Sequence, residues 1–507
     1  MITRWLTRIT MYRLMLYYLL VVVALAAILG AARVLPYNPA AIIGQTLTIA
    51  AVALAVNTLC SRLLNLAPNL ESVYITALIL SLIVGPAATA AHLGAVAAIT
   101  AIAIGSKYVL VYRRKHIFNP AAFGAVVGAL TLGTGASWWV GNSVLFFPVL
   151  LGGLLILKKI RRHELVLAFL LTYVAGLLVT GASVAQLPGL VINSPLIFFM
   201  LVMLVEPQTS PGQARERIAF GAVVAVCFIA LLRLLPSASF GLELSLLLGN
   251  LYAFAFGMSR GALLTLAKKQ TLAPGIMSFW FSPDHRVSFT AGQYLEITVP
   301  HSHPDSRGVR RYFTIASSPA KKELLITSRF SSSGSTFKQA LQMLTAGARI
   351  AMHSIAGDFV LPKKPAAGYV FIAGGIGITP FRSIINQLIE KSDRTPATLF
   401  YSNKTSADFV FDDVFGSAEK KIGLKRVYTV TEEKTNGWRG ERGPIDPAMI
   451  KKHVPDYKSK LFFVSGPEPM VEAFRAMLRG MGISRGNIKT DFFPGYPSPD
   501  KPALKRP

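Results

Sequence analysis

The stretch 369-YVFIAGGIGITPFRSII-385 passes from an apolar run through Gly374, Gly375 and Gly377 into residues with helical spacing. Glycines at such a strand-to-helix turn let backbone N–H groups approach an anionic ligand, and Thr379 and Pro380 open a helix whose N-terminus favours a pyrophosphate. A second run, 398-TLFYSN-403, brings Ser402 and then Lys404 to where an adenosine ribose or a 2′-phosphate would lie. A third, 461-LFFVSGPEPMVEAF-474, ends in a turn holding Ser465, Gly466, Pro467 and Met470. Strands that alternate with helices in an open sheet bind ligands at their carboxyl ends, so the three turns are expected to share one nucleotide. Taken alone, GGIGITP departs from the usual G-x-G-x-x-G pattern and reads equally as a plain strand–helix turn.

Upstream, 310-RRYFTIASSP-319 sets Arg311, two aromatics and Thr314 on one expected strand. Arg311 would neutralise a pyrophosphate, an aromatic would stack on a flat ring system, and Thr314 would hydrogen-bond the ring's edge. An ordinary strand with an exposed Arg is the bland alternative. About twenty residues later, 331-SSSGSTFKQAL-341 puts Gly334, Ser335 and Thr336 at a helix start, where free N–H groups again favour phosphate. Short alternating segments from Thr271 to about residue 364 predict a small β-barrel, and the helix–strand alternation after it predicts a doubly wound α/β unit.

These motifs occupy only half of the molecule. The 507-residue chain is 52% hydrophobic with a mean hydropathy of +0.48, and up to Thr265 it contains no Asp and only Glu71, Glu164, Glu206, Glu216 and Glu243. That composition predicts a polytopic helical membrane domain over 1–265, and the patterns above predict a small β-barrel domain over 266–365 and a nucleotide-binding α/β domain over 366–507. About ten spans are expected, near 14–34, 40–60, 73–88, 89–112, 119–135, 139–158, 164–181, 190–205, 218–236 and 243–265. Basic clusters at Arg62, 113-RRKH-116, 158-KKIRRH-163, 215-RER-217 and Lys268–Lys269 fall on alternate loops, which predicts a multi-pass protein of the cell membrane with its N-terminus and its whole second half in the cytoplasm. Arg4, Arg8 and Arg13 would anchor the N-terminus. A net charge of +27 is therefore read as membrane topology, with lipid and not nucleic acid as the partner.

Cys60 and Cys227 are too few for an iron–sulfur cluster, and no metal site is expected. His92, His116 and His163 do not supply the paired axial ligands of a membrane b-haem. All five Glu lie at span ends and read as solvated interface, and the lack of a mid-membrane carboxylate argues against ion pumping.

Two loops, 116-HIFNPAAFG-124 and 206-EPQTSP-211, combine Pro breaks with Asn119, Thr209 and Ser210. Capping of a helix that opens at Pro120 explains them from the residues alone. Together, however, they resemble the membrane subunit shared by the sodium-pumping NADH:quinone reductase, as its B subunit, and the Rnf complex, as its D subunit, over about residues 14–265. That resemblance implies a flavin held in the bundle near Asn119, Pro120, Thr209 and Ser210. It also implies FMN esterified to a hydroxyl residue in a loop ending Thr-Gly-Ala-Thr, where 179-VTGAS-183 offers Ser183. Leu177 and Leu178 stand where the family has Asp and Gly.

In their order along the chain, RYFT, GST, GGIGITP, YSN, SGPEPM and 490-TDFFPGY-496 resemble the ferredoxin–NADP reductase superfamily over about residues 270–497. The resemblance implies FAD on Arg311, Tyr312, Phe313, Thr314, Ser317, Gly334, Ser335, Thr336 and Phe492. It implies a nicotinamide nucleotide on Gly374, Gly375, Gly377, Thr379, Pro380, Ser402, Lys404, Gly466, Pro467 and Met470, with Thr314 and Ser465 nearest the hydride transfer. Phe313 stands where Tyr is usual and would still stack on the flavin without donating a hydrogen bond, and Ser465 stands where Cys is common. The joined halves predict a membrane NAD(P)H oxidoreductase that passes electrons from FAD to membrane-bound flavin (FMN or riboflavin), a quinone or an outward acceptor, with or without further electron-transfer subunits. A subunit of an ion-translocating complex, and a flavin-binding anchor or transporter with a degenerate reductase module, are the alternatives. NADH and NADPH both remain open.

Overall fold

The computed structural model describes residues 9–64, 70–113, 115–192, 195–257, 261–305, 308–331, 334–363, 366–432 and 437–493. Arg4, Arg8, Arg114, Ser332, Ser333 and 494-PGY-496, all part of expected motifs, lie outside the described residues. The chain divides into two compact units, one of Ile9–Arg260 and one that holds the residues from Gly261 onward.

The first unit is helical. Its main helices are α1 (Met11–Ala31), α2 (Pro39–Leu63), α3 (Leu70–Ile83), α4 (Ala90–Val109), α5 (Pro120–Leu132), α6 (Phe146–Ile160), α7 (His163–Val179), α8 (Ala214–Leu234) and α9 (Gly241–Phe256). Starts are set by side-chain caps: Thr10, Asn38, Thr89 and Asn119 each accept a first-turn N–H, and Pro39 and Pro120 follow the two Asn caps. Gly124 and Gly128 let α5 lie directly on α4, since a Cβ at either would come within 2.8 Å of Ile99 or Ala103 atoms.

By length and composition, α1, α2, α4 and α8 can cross a bilayer, with mean hydropathies of 2.6, 1.9, 1.4 and 2.2. Among the described residues the expected ten spans are not reached. Gly85–Pro86 ends α3 after 14 residues, and α5, α7 and α9 run 13, 17 and 16 residues. At about 1.5 Å per residue these fall short of an apolar core about 30 Å thick. The run at 139–158 loses its first part to irregular backbone, where Asn142 bonds the Trp139 carbonyl and the Leu145 N–H at 2.8 and 2.9 Å. The run at 190–205 becomes short helical pieces ending in a π-helix over Phe199–Met203.

The second unit contains the barrel strands β1 (Ala262–Ala273), β2 (Ile276–Pro283), β3 (Tyr294–Thr298), β4 (Arg310–Thr314), β5 (Leu324–Arg329) and β6 (Arg349–Ala356), with α10 (Thr336–Met343) between the last two. They pair antiparallel in the order β4-β3-β6-β1-β2-β5. The Ala316 N–H closes the ends by bonding the Leu325 carbonyl at 2.8 Å. Apolar alternation fills the interior with residues such as Leu264, Phe281, Leu295, Ile297 and Ile326.

The rest of this unit is β7 (Tyr369–Gly374), α11 (Thr379–Glu390), β8 (Ala397–Asn403), α12 (Asp412–Ile422), β9 (Lys425–Val430), β10 (Glu441–Arg442), α13 (Pro447–His453), β11 (Leu461–Pro467), α14 (Glu468–Gly480) and β12 (Ile488–Phe493). The strands form one parallel sheet in the order β10-β9-β8-β7-β11-β12. Its apolar runs are continuous because helices cover both faces, giving one core with Phe371, Phe381 and Tyr401 and another with Ile372, Phe462 and Val464. The order reverses between β7 and β11, so the crevice expected to bind a ligand opens there.

Candidate functional site

At that reversal the two expected turns meet without side chains between them. Ala373 of β7 is in register with Ser465 of β11, and Gly374 with Ser402 of β8. A Cβ on Gly377 would lie 2.3 Å from the Ser465 carbonyl oxygen and 2.7 Å from Gly466 Cα, so only glycine permits the approach. Met470 rests on both Gly374 and Gly466, with Sδ 2.2 Å from a Cβ built on the first. Gly375 takes φ +55°, and Thr379 Oγ1 bonds the Ile376 carbonyl at 3.1 Å as α11 begins at the buried Thr379 and Pro380. Phe492 on β12 is in register with Gly466. Ser465 is fully buried, and its hydroxyl has no hydrogen-bond partner among the described residues. A buried hydroxyl left unpaired costs about 1–3 kcal/mol, and a cofactor edge at this crevice would satisfy it.

The barrel supplies a second set of residues. Thr314, at the end of β4, is buried and its hydroxyl likewise lacks a partner among the described residues. Strand alternation gives Tyr312 and Phe313 different roles. Phe313, expected to stack on a flat ring, is turned into the barrel core opposite Leu295 and stacks on Phe337 at 5.9 Å. Tyr312 is the exposed aromatic, at 46%, with Tyr294 edge-on at 5.5 Å.

Arg311 and the 334-GST-336 turn converge as expected, around a residue that motif reading passed over. The Thr336 N–H, in the first turn of α10, donates to Asp305 Oδ2 at 3.2 Å, and Arg311 approaches Asp305 Oδ1 at 3.6 Å. Thr336 Oγ1 accepts from the Asp305 N–H at 2.9 Å and lies 3.1 Å from His301 Nε2. The Arg311 guanidinium also lies 5.1 Å over the Phe337 ring, while Ser335 caps α10 by accepting from the Lys338 N–H. This is a place built for a negative oxygen, with a guanidinium and a helix N-terminus facing it. Asp305 carried no signal, because it lies in no recognisable motif.

Ser317, an expected flavin contact, is held by protein partners at both its hydroxyl and its carbonyl. Its hydroxyl accepts the Leu325 N–H at 3.1 Å, and its carbonyl accepts the Ser383 hydroxyl at 2.6 Å. Arg382 donates to the Ala316 carbonyl at 2.7 Å and lies 4.8 Å over Phe411. Arg382 and Ser383 thus tie α11 to the barrel strand beside Thr314, a role that only the structure reveals. Burial holds the Arg382 guanidinium below its ordinary pKa, opposed by the charge of Asp413. Lys404 stays at the surface and pairs with Glu432 at 2.7 Å, beyond the end of β9.

Residues 371–476 match the family model for the oxidoreductase NAD-binding domain. The second unit therefore contains an oxidoreductase NAD-binding domain. The glycine betaine monooxygenase reductase subunit of Chromohalobacter salexigens is 26% identical over 229 residues, covering 44% of this chain and 61% of that one. The stachydrine N-demethylase reductase subunit of Rhizobium meliloti is 28% identical over 231 residues, covering 44% and 64%. NADH-cytochrome b5 reductase 2 of Mycosarcoma maydis is 34% identical over 154 residues, covering 27% and 43%. The chain spans about three fifths of the length of the first two of these relatives.

In the helical unit the two Pro-containing loops also come together. Asn119 caps α5 through the Ala122 N–H at 3.0 Å and donates to Glu206 at 2.7 Å. Asn250 accepts the Asn119 N–H at 2.8 Å and donates to the Thr209 carbonyl at 3.0 Å. Thr209 donates to Glu206 at 3.3 Å, and Ser210 bonds both Arg162 and the Glu206 carbonyl. The polar atoms of this group bond one another, with Pro120 buried at the helix start. Ser183 is exposed, and its N–H bonds Gln186 Oε1 at 3.0 Å. Glu243 is fully buried, contrary to the solvated role expected of it.

Proposed function

We propose that the chain is a membrane-bound NAD(P)H oxidoreductase: the second unit takes a hydride from a nicotinamide nucleotide, and electrons leave for an acceptor in or at the membrane. The carrying observation is a pair of buried hydroxyls without a partner among the described residues, Ser465 at the sheet reversal and Thr314 at the end of β4, beside the contact that locks α11 to the barrel. Bound FAD would supply the conversion of a two-electron hydride into single electrons. Arg311 and the Thr336 N–H would hold its pyrophosphate, Tyr312 would offer the open aromatic face, and Thr314 would donate to or accept from the ring edge. Gly374, Gly375, Gly377 and Gly466 would admit the nucleotide's phosphates, with Thr379 at the helix start. The four long apolar helices support a multi-pass location in the cell membrane, the reductase unit being cytoplasmic, with a quinone as the proposed acceptor.

Inverted membranes supplied with FAD test this reading through NAD(P)H oxidation with quinone reduction. Sodium or proton uptake coupled to that oxidation would place the chain in an ion-translocating complex. No oxidation by FAD-loaded protein would leave a flavin-binding anchor or transporter. Ser183 is the candidate FMN acceptor, so denaturing-gel flavin fluorescence with mass spectrometry is expected to label wild type and not Ser183→Ala. An unlabelled wild type removes the covalent flavin.

The Lys404–Glu432 pair bears on nucleotide choice. Both side chains are exposed, so the pair is worth at most about 1 kcal/mol, yet the Glu432 carboxylate would oppose a 2′-phosphate approaching Lys404. Glu432→Gln is expected to raise kcat/KM for NADPH relative to NADH by about 5-fold, the equivalent of about 1 kcal/mol. Steady-state kinetics with both nucleotides measure the ratio, and an unchanged ratio assigns the 2′-position elsewhere.

A further inference from the structure

We propose that Arg382 is a positioning residue for hydride transfer: its guanidinium fixes α11, and with it the nucleotide turn, against the barrel strand that carries Thr314. This rests on the oxidoreductase reading above and adds to it a residue outside both expected ligand sets. α11 starts at Thr379 in the crevice, and Arg382 follows three residues later, about 4.5 Å along the helix axis. Its Nη1 donates to the Ala316 carbonyl at 2.7 Å, and Ala316 stands two residues beyond the buried Thr314. Ser383 then donates to the Ser317 carbonyl at 2.6 Å. One contact thus sits three residues from the start of the nucleotide helix and two from the hydroxyl expected at the flavin edge.

Arg382 also holds a third element. The face of its guanidinium lies 4.8 Å over Phe411, the residue that caps α12 at φ +69° and is only 9% exposed. A bulky residue persists in that conformation only where its surroundings over-determine it. Phe411 ends the segment 404–411, which leaves β8 with Lys404. Stability alone does not explain an arginine here, because burial penalises its charge and Nε is buried with no partner among the described residues. The planar fork does explain it: one edge points at a carbonyl while the flat face lies on a ring, which a lysine cannot reproduce.

The barrel is shaped to receive α11. Gly292, at φ +96°, precedes Gln293, whose carbonyl accepts the Ile315 N–H at 3.0 Å. A Cβ on Gly292 would lie 2.0 Å from the Phe359 carbonyl oxygen and 3.2 Å from Ile384 Cδ1 of α11. Among the described side-chain bonds that join α11 to the barrel, that of Arg382 stands nearest in sequence to Thr379, whereas Glu390, which accepts the Ser318 hydroxyl, stands at the far end. Transfer between two bound groups is sensitive to misplacement, with about 1 Å costing about 100-fold in rate. Loosening at Arg382 therefore acts on the transfer step more than on either binding step, since each set of ligand residues keeps its own element.

The test uses the full chain in lipid nanodiscs, loaded with FAD, with NADH as donor. Arg382→Met is expected to slow flavin bleaching in stopped flow at least about 10-fold, while KM for NADH and the affinity for FAD change by less than about 3-fold. The long-wavelength charge-transfer absorbance of nicotinamide stacked on flavin should weaken with it. NAD⁺ titration of FAD-free protein should give one Kd for variant and wild type, because the crevice itself is untouched. Arg382→Lys should recover the rate and the band only in part. Glu390→Ala, which removes the far bond, should lower Tm and leave bleaching at the wild-type rate. A wild-type rate and band in Arg382→Met, or an equal loss in Glu390→Ala, overturns the positioning role. Should Arg382→Met fail to load FAD, Arg382→Lys decides, and a wild-type rate and band there overturn the role as well. A wild type that NADH does not bleach removes the oxidoreductase reading itself, and the positioning role falls with it.

Discussion

Replacing Gly377 by Ala is expected to lower kcat/KM for flavin reduction by NADH at least about 100-fold while FAD stays bound. A Cβ there would sit 2.3 Å from the Ser465 carbonyl oxygen and 2.5 Å from its carbon, distances that real side chains do not show. The obstacle is β11 backbone, which cannot rotate away as a side-chain tip would. Relief requires that the 375–378 turn and β11 move apart, and overpacking of this kind costs about 1–3 kcal/mol in stability. The same movement displaces the glycine N–H groups and the Ser465 hydroxyl from the crevice, so lost positioning adds to lost stability. The proposed flavin cradle lies on β4 and α10, on other elements than this turn, so FAD absorbance should persist. Stopped-flow bleaching with NADH measures the loss. Gly486→Ala, where a Cβ meets nothing within 4 Å, serves as the control. Wild-type reduction kinetics in Gly377→Ala would remove the crevice from the reaction.

Gly377 also shows what a sequence can and cannot convey. The turn was legible because glycine spacing after an apolar run reports a backbone requirement, and backbone requirements are local. The antiparallel barrel and parallel sheet were legible for the same reason, through their alternation and turn residues. Helix lengths in the first unit were legible only in part: Gly85, Pro86 and Pro120 mark breaks in short runs, whereas hydropathy averages over Asn142, whose side chain holds irregular backbone in place. Partners distant in sequence were also hidden. Asp305 meets Thr336 across 31 positions, Arg382 meets Ala316 across 66, and Glu243 meets Trp138 across 105. The assignment of Phe313 as the stacking ring erred differently. Alternation along β4 puts Tyr312 on the face opposite Phe313, and that signal was present in the period-two pattern.

Arg311→Leu is expected both to unfold the barrel more readily and to weaken FAD binding by at least about 100-fold, and the two losses have separable causes. The Arg311 and Asp305 side chains are only 13% and 9% exposed, so removing the guanidinium takes the counter-charge from a nearly buried carboxylate. Breaking such a pair from one side costs about 3–5 kcal/mol. In Arg311→Leu/Asp305→Asn the uncompensated charge is gone, and most of the lost stability should return. FAD affinity should not return, because the pyrophosphate still lacks the guanidinium that faces the α10 N-terminus; two charge-assisted hydrogen bonds at about 1.5–3 kcal/mol each set the size of that loss. Asp305→Asn alone separates two uses of the acid. If Asp305 only orients Arg311, FAD binds more weakly; if its carboxylate stands where the pyrophosphate would lie, FAD binds more tightly once that charge is removed. Thermal unfolding without FAD, and flavin fluorescence titration with it, read the two quantities independently. Recovery of both in the double variant would make Arg311 a structural partner of Asp305 and move the pyrophosphate to another part of the barrel.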